Sequence, residues 1–135
     1  MELDLTFERV YPHPIESVWE AVATREGLAS WLMENDFEPE IGQSFAFTFC
    51  PGDDDGPTTT VEAAVLEIDP PRRIVWSWRN EGETETTRVE IALAAVTGGT
   101  KMVLRHSGPI SIETGDTLER GWPAKLDELG VALGH

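Results

Sequence analysis

The chain has 135 residues, with 25 Asp and Glu against 10 Lys and Arg, a formal charge of −15 and 40% apolar residues. That composition suits one globular domain spanning residues 1–135 and excludes a disordered chain, which would pair low hydrophobicity with high charge. The acidity argues against nucleic-acid binding, because phosphate contacts need Lys and Arg.

No apolar run reaches the roughly 20 residues of a membrane span. The opening Met1-Glu2-Leu3-Asp4 lacks the basic and apolar regions of a signal peptide. Cys50 is the single cysteine, which excludes an intrachain disulfide and suits a reducing, cytoplasmic setting. The charge is unevenly spread. Between Arg25 and Arg72 there is no basic residue, but there are eleven acids: Glu26, Glu34, Asp36, Glu38, Glu40, Asp53, Asp54, Asp55, Glu62, Glu67 and Asp69.

In chain order, Leu3, Leu5 and Phe7 alternate with Asp4, Thr6 and Glu8, the pattern of a half-buried strand. Pro12 and Pro14 end it, and Pro14 suits the first position of a helix. Ile15, Val18, Trp19, Val22 and Ala23 then form one apolar helical face. Thr24 is a candidate cap for a second short helix, Arg25 to Met33, presenting Leu28, Trp31 and Leu32. Five strands are expected next: Gln43–Cys50, Thr58–Ile68, Arg73–Arg79, Thr86–Ala95 and Lys101–His106. They are separated by Pro51–Pro57, Asp69-Pro70-Pro71, Asn80-Glu81-Gly82 and Gly98-Gly99. Trp122, Leu126, Leu129 and Leu133 predict a C-terminal helix over Thr117–Leu133, with Pro123 expected to kink or interrupt it. These elements predict an α+β fold: a six-stranded antiparallel sheet, two short helices after strand 1 and a long C-terminal helix as its cover.

Eight stretches in order carry a family resemblance: Val18-Trp19-Glu20-Ala21-Val22, Trp31-Leu32, Ile41-Gly42-Gln43-Ser44-Phe45, Val65 through Pro71, Ile74-Val75-Trp76-Ser77-Trp78, Gly98 through Met102, Arg105-His106-Ser107-Gly108 and Gly121-Trp122. Nearly the whole chain resembles the homologues of the activator of heat-shock protein 90 ATPase, within the START-like (SRPBCC) superfamily. The resemblance implies a helix-grip fold, in which a curved antiparallel sheet wraps the C-terminal helix around an internal cavity. The co-chaperone that names the family has a further N-terminal domain that meets the chaperone. The present chain starts with its first strand, so the expected function is ligand binding rather than ATPase activation.

Parity places Phe45, Phe47, Phe49, Trp76, Trp78 and Trp122 toward one interior, either as a core or as the walls of a cavity. With Trp31, Met102 and His106, the residues Phe45, Phe47, Trp76, Trp78 and Trp122 form the candidate ligand cavity. His106 is in phase with Met102 and Leu104. It reads either as a ligand-binding or acid–base imidazole, or as a half-exposed strand-end histidine, before the Ser107-Gly108-Pro109 turn, hydrogen-bonded to backbone. Glu62, in phase with Ala64 and Leu66, is either an inward acidic partner or a solvent-facing residue. Arg79 and Arg105 should point outward and pair with surface acids.

No metal or other cofactor is expected. His13, His106 and His135 are far apart, and Asp53-Asp54-Asp55 lacks the spacing of a calcium loop. There is no phosphate-binding loop and no nucleophile elbow. The leading expectation is therefore a non-catalytic domain that binds a small apolar or amphipathic ligand. Two alternatives are a chaperone-associated or regulatory protein using its acidic segment, and a cofactor-free cyclase- or lyase-type enzyme using His106. A protein partner or a homodimer remains compatible with either.

Overall fold

Alternating apolar side chains on successive strands build one sheet. A computed structural model describes residues 2–38, 40–49, 59–80 and 83–134. Its elements are β1 (Glu2–Tyr11), α1 (Ile15–Val22), α2 (Arg25–Trp31), β2 (Glu34–Asn35), β3 (Ser44–Phe49), β4 (Thr59–Asp69), β5 (Arg73–Asn80), β6 (Thr87–Val96), β7 (Gly99–Pro109) and α3 (Ile112–Ala132). The sheet order is β1-β7-β6-β5-β4-β3-β2, antiparallel at each pairing. β1 and β2 are the two edges, and α1 with α2 carries the chain from one edge to the other. Cys50 and the Pro51–Pro57 turn lie outside the described residues.

The sheet has seven strands where six were expected. The added strand, β2, has two residues, too few to show alternation. Side chains pin it rather than apolar pattern. Asn35 Nδ2 donates to the carbonyls of Met33 (3.0 Å) and Arg25 (3.1 Å), and its Oδ1 accepts from the Phe37 amide (3.0 Å). Asp36 Oδ1 accepts from the Ala46 amide of β3 (2.7 Å). These are the local side-chain-to-backbone bonds for which Asn and Asp are suited.

The expected parities hold on β5, β6 and β7. Ile74, Trp76 and Trp78, then Thr87, Val89, Ile91 and Leu93, then Met102, Leu104 and His106 are all buried. On β4 the buried set is Val61, Ala63 and Val65, so Glu62 faces outward and pairs with Arg79. Arg105 likewise pairs with Asp4, at 3.1 Å.

α1 and α2 meet closely. Thr24 caps α2 by accepting from the Gly27 amide (2.9 Å), and a Cβ on Gly27 would come within 2.1 Å of the Glu20 carbonyl oxygen. α3 begins at Ile112, five residues before the expected Thr117. Ser111 caps it, accepting from the Thr114 amide at 3.3 Å. Its first turn holds one large apolar residue, the exposed Ile112, and lies outside the apolar spacing from which the helix was read. The helix also runs through Pro123 as one element. Proline removes one backbone donor, which leaves the Glu119 carbonyl unpaired within the helix. Glu119 is exposed, so water can take that role.

Trp122, Leu126 and Leu129 of α3 are 2%, 1% and 0% exposed. Tyr11 at the end of β1 donates its hydroxyl to the Leu126 carbonyl at 2.9 Å, and burial pushes this phenol up to about 12. Full burial of one such apolar side chain contributes about 1.5–3 kcal/mol. Leu126→Ala should therefore cost about 2–5 kcal/mol in chemical denaturation with little change in m. A loss under about 1 kcal/mol would mean that α3 is not packed as described.

Candidate functional site

One face of α3 presents Thr117, Gly121 and Lys125 at i, i+4 and i+8, beside Leu118 and Trp122. This face, the end of α2 and one end of the sheet enclose a cleft of about 430 Å³. Leu32 and Met33 line it from the end of α2, Val61 from β4, and Trp78 and Asn80 from β5. Val61 and Asn80 are register partners, which locates the cleft at that end of the β4–β5 pair. Trp78 and Trp122 form its floor, with ring centroids 5.6 Å apart.

The floor is held by a buried hydrogen-bond chain. Trp122 Nε1–H donates to His106 Nδ1 at 3.1 Å, since an indole nitrogen can only donate. The imidazole proton is thereby assigned to Nε2, which lies 2.6 Å from Thr87 Oγ1. The Thr87 hydroxyl in turn donates to the Trp78 carbonyl at 2.9 Å. The Trp78 indole N–H donates to Asn80 Oδ1 at 2.6 Å. Burial pushes the fully enclosed His106 down to about 3, so the imidazole is neutral at pH 7.

Two of the eight candidate cavity residues, Trp78 and Trp122, line this cleft. His106 lies behind them, with both ring nitrogens engaged by the protein. Phe45, Phe47 and Trp76 pack on one another, with centroid separations of 5.2–6.3 Å. Met102 is fully buried in the same core. Trp31 is buried too, and donates its N–H to the Ala21 carbonyl at 2.8 Å. The Trp76 N–H is buried without an acceptor. These side chains occupy the space between sheet and helices, and the open volume lies beside them.

Leu32, Met33, Val61, Asn80, Thr117, Leu118, Gly121 and Lys125 were not among the candidate cavity residues read from sequence. The four-residue spacing of Thr117, Gly121 and Lys125 next to Trp122 was a readable signal on α3. The convergence of Val61 and Asn80 with Leu32 depends on tertiary packing.

A larger hollow, about 490 Å³, lies on β3–β5 and is lined by Asp36, Ser44, Phe45, Ala46, Glu62, Ala63, Ser77, Arg79 and Thr86. Its small and charged lining includes the Glu62–Arg79 ion pair. Small-molecule sites are mostly apolar with a few placed polar groups, and the α3 cleft fits that description better. Among the described residues, no group of three or more His, Cys, Asp or Glu could hold a metal. No helix among them is long and apolar enough to cross a membrane.

An antiparallel sheet gripping a C-terminal helix, with an apolar cleft beside that helix, defines the helix-grip class. Residues 12–134 match the family described as Activator of Hsp90 ATPase homolog 1-like protein, and the chain belongs to that family. Solved structures similar to it include protein MLL2253 from Mesorhizobium loti, at 25% identity over 96% of each chain with a TM-score of 0.82. Bacillus halodurans protein BH1534 is 28% identical over 96% of each chain, with a TM-score of 0.76. CalU16 from Micromonospora echinospora is 26% identical over 97% of this chain and 76% of that one, with a TM-score of 0.78. No curated protein matches the chain.

The state of His106 makes stability depend on pH. The unfolded chain takes up a proton on this imidazole below its ordinary value of 6.5, whereas the folded protein does so only near 3. Between these values the unfolded state holds more protons, so stability is full above 6.5 and falls as the pH drops toward 3. The limiting slope is about 1.4 kcal/mol per pH unit. His106→Asn should flatten the pH dependence measured by urea denaturation between pH 5 and 7, a range above most carboxylate titration. Parallel profiles for the two proteins would contradict a neutral, enclosed His106.

Proposed function

We propose that this protein binds a small apolar or amphipathic molecule in the cleft between α3, the end of α2 and the β4–β5 end of the sheet. One observation carries the reading: a cleft of about 430 Å³ with a lining dominated by Leu32, Met33, Val61, Trp78, Leu118 and Trp122. That volume lies in the range of sites for drug-sized ligands. The floor is preorganised, because the indole N–H groups of Trp78 and Trp122 are already hydrogen-bonded to Asn80 and His106. The cleft therefore offers a ligand aromatic and aliphatic surface, and ordering that surface costs little on binding. Membership of the family agrees with this reading. Acid–base catalysis by His106 finds no support, since neither ring nitrogen is presented to the cleft.

Gly121 supplies a steric test. A Cβ built there meets nothing within 4 Å, so a larger side chain extends into the cleft. Leucine is also a better helix former than glycine, by about 0.8 kcal/mol. Gly121→Leu should fold with at least the parent's stability and should weaken binding of apolar ligands by about tenfold or more. Binding is read from tryptophan emission and calorimetry against a panel of apolar and amphipathic compounds. If the panel leaves the parent protein's emission and heat unchanged, or if Gly121→Leu binds as well as the parent, the cleft is not the site.

A further inference from the structure

We infer that the cleft selects an amphipathic molecule with a single anionic group, and that Lys125 meets that group. The inference rests on the reading of the cleft given above and specifies its ligand. Its starting point is a reversal of charge. The chain carries −15 overall, but among the described residues the cleft lining holds no Asp or Glu and one charged side chain, Lys125.

Three of the other polar groups of the lining are bonded within the protein. The Trp78 N–H is committed to Asn80 Oδ1, the Trp122 N–H to His106, and the Thr117 hydroxyl to the Glu113 carbonyl at 3.1 Å. Lys125 is partly buried, one turn after Gly121 and Trp122 on the same face of α3. Its aliphatic stem adds to the apolar lining. Its ammonium has three donor hydrogens, so a contact within the protein leaves it able to donate to a ligand as well. A charge-assisted hydrogen bond beside apolar walls is stronger than the same contact in open water. A molecule with an apolar body and one carboxylate at its end would satisfy both parts of the lining.

The protein's own charge sharpens the test. Its net field favours cations and opposes anions, so general electrostatics would rank an amine above an alcohol and an alcohol above an acid. Contact with Lys125 reverses that order. Decanoate, 1-decanol and decylamine share one apolar body and differ in the head group. Their affinities at pH 7.5 can be measured by calorimetry and tryptophan emission.

Decanoate should bind about tenfold or more tightly than decanol, the ratio that a hydrogen bond to a charged group supplies, and decylamine should bind weakest. Lys125→Met keeps an apolar stem and should bring the ratio of decanoate to decanol affinity down to about one or below. Lys125→Arg should restore most of the advantage. Decanol binding as tightly as decanoate would overturn the anionic preference, and an advantage that survives in Lys125→Met would overturn the role of Lys125; either result leaves the apolar cleft standing. Absence of binding by all three compounds would remove both.

Discussion

His106 is sealed from solvent between α3 and the sheet, so the polar atoms around it have to be matched in the interior. The matching is directional. Trp122 of α3 donates to the ring, the ring donates to Thr87 of β6, and Thr87 donates to the carbonyl of Trp78 on β5. One chain of three bonds thus joins the helix to neighbouring strands β7, β6 and β5. Hydrophobic packing alone would tolerate small shifts of α3 along the sheet. A buried donor that must meet one particular acceptor does not, because a lost bond leaves an unsatisfied group costing about 1–3 kcal/mol. The position of α3, and with it the shape of the cleft, follows from this contact.

The aromatic residues act as a filling around that chain. Phe37, Phe45, Phe47, Trp76 and Trp78 continue one into the next, with ring centroids 5.1–6.3 Å apart. Most of these pairs are edge-on or tilted, the arrangement aromatic quadrupoles favour. Rings in contact at these distances use up the volume between sheet and helices that an enclosed cavity would need. The apolar cleft lies where the aromatic run stops, at Trp78 and Trp122, and where Gly121 contributes no side chain. The same residues therefore serve as core on one side and as the cleft floor on the other.

Charge contributes little to holding the fold together. The ion pairs, such as Arg25 with Glu38 at 2.6 Å and Lys101 with Glu8 at 2.8 Å, join side chains that are 46–59% exposed. Pairs of this kind contribute about 0–1 kcal/mol each. Several acids of the segment between Arg25 and Arg72 are engaged in such pairs, Glu38, Glu62, Glu67 and Asp69 among them. The excess negative charge governs solubility and the sign of long-range fields. The local chemistry of the cleft is set separately, by which few side chains reach it.

The sequence by itself determined the α+β class, the element order and the buried face of the central strands. These follow from short-range rules: a period of two on strands, a period near four on helices, and Gly, Pro and Asn at turns. Parity alone put His106 with Met102 and Leu104 on the buried side. Two failures were also local in origin. β2 is too short to alternate, and the first turn of α3 has no buried apolar side chain to continue the helical spacing. Only the tertiary structure decided what the buried side chains do. Whether inward aromatic rings form a core or line a cavity depends on distances between strands far apart in sequence, and alternation carries no such information. Whether an inward imidazole is open to a ligand depends on its partners, and here these come from β6 and α3, at Thr87 and Trp122. The cleft draws on α2, β4, β5 and α3 at once, and its composition became readable only when packing brought those four elements together.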